Sequence, residues 1–258
     1  MRGYKPKILC IAQQKGGVCK TTSVLSLSAA WALEGKKVLM LDTDPQANLT
    51  RNILDYEKLK KDISLLYKGK QSIKSIIHKT PYKNLFIVPT RTALNRIENL
   101  ERTLSTFNAL KKALPQVAKI YDYVVIDTPP SLGLFTISAL LAATHVLVPV
   151  QPTFFCQEGL GDLNETIKEA RESNPGLISV RYFITLYDKR TVISQDLTET
   201  LRSQLGSMVF KTIIHRNIAV EESQYAQRTI FDYAPRSRGA ADFKALAKEV
   251  EQWLENAS

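Results

Sequence analysis

Six short apolar runs constrain the fold of this chain more than any other feature: Ile8-Ala12, Val38-Leu41, Leu85-Val88, Val124-Ile126, Val146-Val150 and Val180-Thr185. Each is strand-sized and rich in β-branched residues, and most are continuous rather than alternating, which is the pattern of strands covered on both faces. Between them lie stretches with helical apolar spacing: Thr21-Glu34, Thr106-Lys119, Leu134-Ala143, Leu160-Glu172, Ser194-Leu205 and Ala240-Leu254. Repeated β-α alternation predicts an α/β fold of three layers, a mostly parallel central sheet with helices on both faces. In such sheets ligands sit at the carboxyl ends of the strands, so the residues following each strand are the ones to inspect.

The 258 residues contain no Gly/Ser-rich or Pro-rich linker and no fixed-period repeat, and apolar clusters recur evenly from Ile8 to Trp253. A single domain spanning 1–258 is expected. The apolar runs fall far short of the roughly 20 residues of a membrane-spanning helix. Met1-Lys5 leads into the first strand without the apolar stretch of an export signal, so a cytoplasmic location is expected. Cys10, Cys19 and Cys156 match neither a zinc site nor a disulfide framework. The net charge of +10 implies attraction to a polyanion, either nucleic acid or an anionic membrane surface, without choosing between them. Between Arg51 and Lys83 nine Lys/Arg stand against three Asp/Glu, on what reads as two short helices.

Directly after the first strand comes Gln13-Gln14-Lys15-Gly16-Gly17-Val18-Cys19-Lys20-Thr21-Thr22, followed by a helical stretch from Ser23. Phosphate binding needs this order. The loop turns backbone N–H groups inward around a phosphate, the glycines permit close approach, and the helix N-terminus adds its positive dipole end. Lys20 is placed to neutralise β- and γ-phosphate oxygens and the Thr21 hydroxyl to ligate Mg²⁺. The fourth apolar run ends in Asp127-Thr128-Pro129-Pro130-Ser131, where strand burial would hold Asp127 at the carboxyl edge of the sheet, able to bind Mg²⁺ through water.

Lys15-Gly16-Gly17-Val18-Cys19-Lys20-Thr21-Thr22 resembles the deviant Walker A signature of the ParA/MinD class of P-loop ATPases, and the resemblance extends over essentially the whole chain. It implies a P-loop NTPase fold with ATP and Mg²⁺ as ligands and ATP hydrolysis, of slow rate, as the activity. The loop Lys15, Gly16, Gly17, Val18, Cys19, Lys20, Thr21 and Thr22 would bind the nucleotide. In that class the residue matching Lys15 reaches across a homodimer to phosphates held by the other subunit, so that ATP is sandwiched and dimerisation depends on it. Asp42-Thr43-Asp44-Pro45-Gln46 matches the family's switch I. By that resemblance Asp44 orients or activates the attacking water, while Asp42 lies near the lysine and metal and helps hold the loop. Asp127-Thr128-Pro129-Pro130-Ser131 matches switch II.

Two positions depart from the pattern. Cys19 stands where the family has glycine, and a Cβ there costs on the order of 1 to 3 kcal/mol if the backbone must adopt a conformation that only glycine tolerates easily. Ala219 stands where the small, Soj-like chromosomal ParA proteins have a DNA-contacting arginine, within Arg216-Asn217-Ile218-Ala219-Val220. Resemblance to those proteins in Leu186-Thr191, in Arg216-Asn217, which follows a further strand, and in Ala234-Ala240 implies nonspecific DNA binding in the ATP state, with Lys189, Arg190, Arg216 and Arg228 as candidates. It also implies a ParB-like activator and a nucleoid-associated location. No helix-turn-helix segment precedes the phosphate loop, so operator recognition is not expected. Two alternatives remain. One is a MinD-like ATPase that binds membranes, disfavoured because Lys248-Glu255 is net acidic, so no membrane partner is expected. The other is a hydrolysis-impaired, nucleotide-dependent scaffold produced by Cys19.

Overall fold

The computed structural model describes residues 7–100, 103–153 and 156–256. Met1-Lys5, read above for an export signal, lies outside them. Among the described residues, eight strands form one sheet: β1 (Lys7–Ile11), β2 (Val38–Asp42), β3 (His78–Lys79), β4 (Leu85–Val88), β5 (Tyr123–Asp127), β6 (His145–Val150), β7 (Ser179–Tyr187) and β8 (Val209–His215). Their order is β3-β4-β2-β5-β1-β6-β7-β8. All pairings are parallel except β3 with β4. The six strands expected from the apolar runs are present within a residue or two. β8 is the further strand before Arg216, and β3 is a two-residue edge strand too short to leave a periodic trace.

Helices cover both faces. On one face Lys20–Leu33 and Arg238–Asn256 enclose a core that contains Leu9, Ile11, Trp31, Met40, Phe183, Phe243 and Leu254. The Trp31 indole N–H donates to the Ala247 carbonyl at 3.1 Å, which ties those two helices together. On the other face Leu134–Ala142 and Cys156–Ser173 pack over Cys10, Leu41, Ile126, Val148 and Ile184. Strands sandwiched in this way must be apolar on both faces, which accounts for continuous rather than alternating runs.

Two helical expectations are corrected. Thr106-Lys119 is not one helix. It is divided into Leu104–Phe107, Ala109–Ala113 and two 3₁₀ turns, Leu114–Gln116 and Ala118–Ile120. Asn108 leaves helical geometry at φ −91°, ψ 5°, and Pro115 supplies no N–H to continue the ladder. The segment 51–83 holds no pair of regular helices either. It contains the Tyr56–Lys58 turn, Ser64–Tyr67, the 3₁₀ turn Ile73–Ile76 and β3. Gly69, at φ 64°, ends the second of these. No described helix is long and apolar enough to cross a membrane.

Candidate functional site

β1 delivers the chain to the carboxyl edge of the sheet, and the loop 12–19 turns back into the Lys20–Leu33 helix. Two residues of that turn have left-handed backbones, Gly17 at φ 73° and Cys19 at φ 65°, ψ 29°. Cys19 is the residue that enters the helix, and its side chain makes no capping hydrogen bond. The departure noted in the sequence therefore falls on a backbone conformation that disfavours a Cβ. The loop is fastened from three sides. The Thr185 hydroxyl donates to the Val18 carbonyl at 3.2 Å, the Gln13 amide to Pro149 O at 3.4 Å, and Gln224 to the Thr22 hydroxyl at 2.8 Å. The Lys20 ammonium curls back to the Lys15 carbonyl at 3.2 Å. Burial holds Lys20 below the usual lysine range, and Asp127 and Asp44 oppose that shift.

β5 lies between β1 and β2, and the register pairs Asp127 with both Ile11 and Asp42. Thr43 donates both its N–H and its hydroxyl to the Asp127 carbonyl, at 3.1 and 2.6 Å, and the Thr128 hydroxyl donates to Ile11 O at 2.8 Å. The Asp127 backbone is thus clamped, yet both of its carboxylate oxygens are buried without a hydrogen-bond partner. Burial first, then repulsion from Asp42, pushes this carboxyl well above its ordinary range. Thr21 and Lys20 pull it part-way back without completing a hydrogen bond to either oxygen. A buried carboxylate in this condition is costly unless something supplies the missing partners. Oxygen donors at Asp127 and Thr21 beside the glycine loop fit a hard divalent cation with its water shell.

Asp42 is also fully buried, but its oxygens are occupied. Oδ1 accepts from Asp44 N at 3.1 Å, and Oδ2 accepts from Thr50 N at 2.9 Å and the Thr50 hydroxyl at 2.7 Å. Burial pushes this carboxyl up to about 7 against those three donors. Asp44 is 6% exposed and accepts from Gln46 N at 2.9 Å, and burial raises it as well. The Lys15 ammonium points elsewhere, donating to the Thr153 hydroxyl of its own chain at 2.8 Å. A cavity of about 400 Å³ opens beside the loop, lined by Gly17, Cys19, Thr22, Asn217, Glu221 and Gln224 among others. Burial pushes the Cys19 thiol up to about 11, which leaves it a poor nucleophile.

Across the Arg216-Asn217 segment lies a second, open groove of about 590 Å³ whose lining includes Lys189, Arg190, His215, Arg216 and Arg238. Arg190 grips Asp188 through Nε at 2.9 Å and Nη2 at 2.6 Å, holding that carboxyl well below its usual range. Arg238 donates to His215 Nε2 at 2.8 Å, and His215 Nδ1 lies 2.8 Å from Asp242 Oδ2. The structure therefore brings Lys189, Arg190 and Arg216 together. It does not bring Arg228 to them: that guanidinium is paired with Asp232 at 2.7 and 3.0 Å, beside Tyr82. Part of the Arg51-Lys83 charge is likewise engaged locally, with Arg51 stacked 3.6 Å from the Tyr56 ring centroid and Lys58 paired to Asp55 at 2.7 Å. Sequence reasoning passed over Thr50, Thr153, Gln224 and Arg238. Thr50 has a local signal, a hydroxyl eight residues beyond Asp42 on the Asn48–Arg51 turn, while the others meet the site only through the fold.

A parallel sheet with this loop at the end of β1 and a carboxylate at the end of β5 defines a P-loop nucleoside triphosphatase fold. The profile of an AAA-domain family, AAA_31, matches residues 6–179. The chromosome-partitioning ATPase Soj of Treponema pallidum is 37% identical over 256 residues, covering 95% of this chain and 96% of that protein. The sporulation initiation inhibitor protein Soj of Bacillus subtilis is 38% identical over 250 residues, covering 95% and 98%. Among solved structures, cobyrinic acid a,c-diamide synthase from Mycobacterium smegmatis with bound ADP and magnesium superposes with a TM-score of 0.85 at 29% identity, covering 98% of this chain and 97% of that one. The chain belongs to the Soj/ParA family of partition ATPases.

Proposed function

We infer that this chain, folding as a single unit over 1–258, binds Mg·ATP in the loop Lys15-Thr22. In this reading it pairs with a second copy around the nucleotide, binds DNA without sequence preference in that state, and is released when a ParB-like partner stimulates hydrolysis. The observation that carries the reading is the buried Asp127 carboxylate with both oxygens unpartnered, next to Lys20, Thr21 and the glycine loop. Loop N–H groups and Lys20 hold the β- and γ-phosphates, and Thr21 and Asp127, the latter through water, hold the metal. Bound Mg²⁺ would offset the charge of the phosphate oxygens. Asp44 orients the attacking water, and Asp42 fixes the Asp44 backbone through its Oδ1.

Slow basal turnover fits the orientation of Lys15. Held by Thr153 in its own chain, it must leave that contact before it can meet phosphates bound by a second copy. The DNA surface is the groove of Lys189, Arg190 and Arg216, and a dimer would present it twice. Such a protein works in the cytoplasm, on the nucleoid. A membrane-binding role is disfavoured by the Arg238–Asn256 helix, whose apolar face (Phe243, Leu246, Val250, Trp253, Leu254) is already spent on the core.

Co-sedimentation with random-sequence DNA and with anionic vesicles, each with Mg·ATP, tests the reading. Retention on DNA alone is expected. Six phosphate contacts per dimer give a slope near −5 in log K against log salt, a loss of roughly 10³-fold between 50 and 200 mM. Retention on vesicles, or DNA binding indifferent to salt, would refute it.

A further inference from the structure

We propose that Thr50 is the positioning residue of the switch that carries Asp44, acting through the Asp42 carboxylate. The proposal rests on the reading of Asp44 given above. Its basis is a chain of hydrogen bonds between three fully buried residues: the Thr90 N–H donates to Thr50 Oγ1 at 3.0 Å, and Thr50 Oγ1 donates to Asp42 Oδ2 at 2.7 Å. A hydroxyl is the smallest side-chain group that can accept from one neighbour while donating to another, and here both capacities are used. The other Asp42 oxygen, Oδ1, accepts the Asp44 N–H at 3.1 Å. One carboxylate therefore links the hydroxyl on the Asn48–Arg51 turn to the backbone of the residue read as orienting water.

The linkage has a geometric reason. Asp42 is the last residue of β2, and Thr90 follows β4, which pairs with β2. Thr50 spans the two strand ends from above and ties the switch to the rigid sheet. Without its hydroxyl, Asp42 keeps a single donor on Oδ2, the Thr50 N–H at 2.9 Å, and the buried Thr90 N–H loses its acceptor. The carboxylate can then rotate, and the Asp44 loop with it. None of these hydrogen bonds involves Lys20, Thr21 or the phosphate loop, so nucleotide grip should survive while turnover does not.

Thr50→Val keeps volume and β-branching and removes only the hydroxyl, and Thr50→Ser restores it. Purified full-length protein is assayed for Mg·ATP turnover with DNA present, for ADP affinity by calorimetry, and for folding by near-UV circular dichroism. Thr50→Val is expected to lower kcat about 10- to 100-fold, the usual cost of losing a partner one shell behind a working group, with ADP affinity within about threefold of the parent. Thr50→Ser is expected to recover most of the rate. The proposal is overturned if folded Thr50→Val turns over like the parent. It is equally overturned if rate and affinity fall together and Thr50→Ser does not rescue, the behaviour of a merely structural residue. Asp44→Ala, run in parallel, separates the two levels: if that change leaves turnover intact, the reading of Asp44 fails, whereas loss there with a normal Thr50→Val rejects the role of Thr50 alone.

Discussion

Substituting Cys19 by glycine and by alanine isolates the strain in the phosphate loop. Cys19 sits at φ 65°, ψ 29°, immediately before the Lys20–Leu33 helix, and its side chain makes no capping hydrogen bond, so neither substitution removes a cap. Both remove the same thiol, and the two variants differ only in the Cβ. A Cβ in the left-handed region costs about 1–2 kcal/mol. Glycine returns about 0.5–1 kcal/mol of that through the greater freedom of its unfolded chain. The glycine variant should therefore be the more stable of the pair by about 0.75 kcal/mol, the ranges allowing about 0–1.5, or about 2–3 °C in Tm at the midpoint for a chain of this size. Thermal unfolding of the nucleotide-free proteins by circular dichroism reads this directly. A midpoint for alanine above that of glycine by the full entropic difference, about 0.5–1 kcal/mol, would show that the loop is not strained at this residue. Phosphate release from the same glycine variant decides the scaffold alternative: a rise above the parent is expected if Cys19 slows turnover, and an unchanged rate dismisses that idea.

Asp42 and Asp127 carry a pH dependence whose sign follows from their upward shifts. A carboxyl that titrates higher folded than unfolded stabilises the fold below its unfolded pKa and loses that contribution as pH rises through the folded value, for Asp42 from about 3.8 towards about 7. The metal-free protein should accordingly lose stability in urea between about pH 4 and 7. Asp127→Asn, which removes one buried carboxyl that burial and Asp42 push upward, should flatten that profile while abolishing magnesium-dependent nucleotide binding; parallel profiles for parent and variant would contradict the assignment. On DNA, Arg216→Ala should weaken retention and reduce the salt slope by about 1 to 2 units, one contact per subunit. Arg228→Ala, at a residue that does not line the Arg216 groove, should leave retention within about twofold, and equal losses for the two arginines would place the DNA surface elsewhere.

Most of the site was legible in the sequence because its parts lie where buried strands end. Asp127 closes the run Tyr123-Val124-Val125-Ile126, Asp42 and Asp44 follow Val38-Leu41, and the glycine loop follows Ile8-Ala12, so apolar periodicity alone brings all three to one edge of the sheet. What periodicity does not register is contact across the fold. Lys15 meets Thr153 over 138 residues and Thr50 meets Thr90 over 40, with no local pattern marking either pair. Arg228 differs from Arg216 locally only in having Asp232 four residues on, and it is the fold that places Arg216, and not Arg228, on the groove. The Thr106-Lys119 stretch has helical apolar spacing, but Asn108 and Pro115 interrupt the backbone, and a pattern of side chains does not report the hydrogen-bond ladder beneath it.

Whether the third phosphate decides pairing is tested most directly by the mass of the protein in solution. Size-exclusion chromatography with light scattering in Mg·ADP, Mg·ATP and a slowly hydrolysed ATP analogue, for the parent and Lys15→Ala, should give monomer in ADP and dimer in the analogue for the parent. Lys15→Ala should stay monomeric in all three, because the ammonium that Thr153 now holds is the one expected to cross to the other subunit. A parent mass that ignores which nucleotide is present would contradict the nucleotide-dependent pairing at the centre of the proposed cycle.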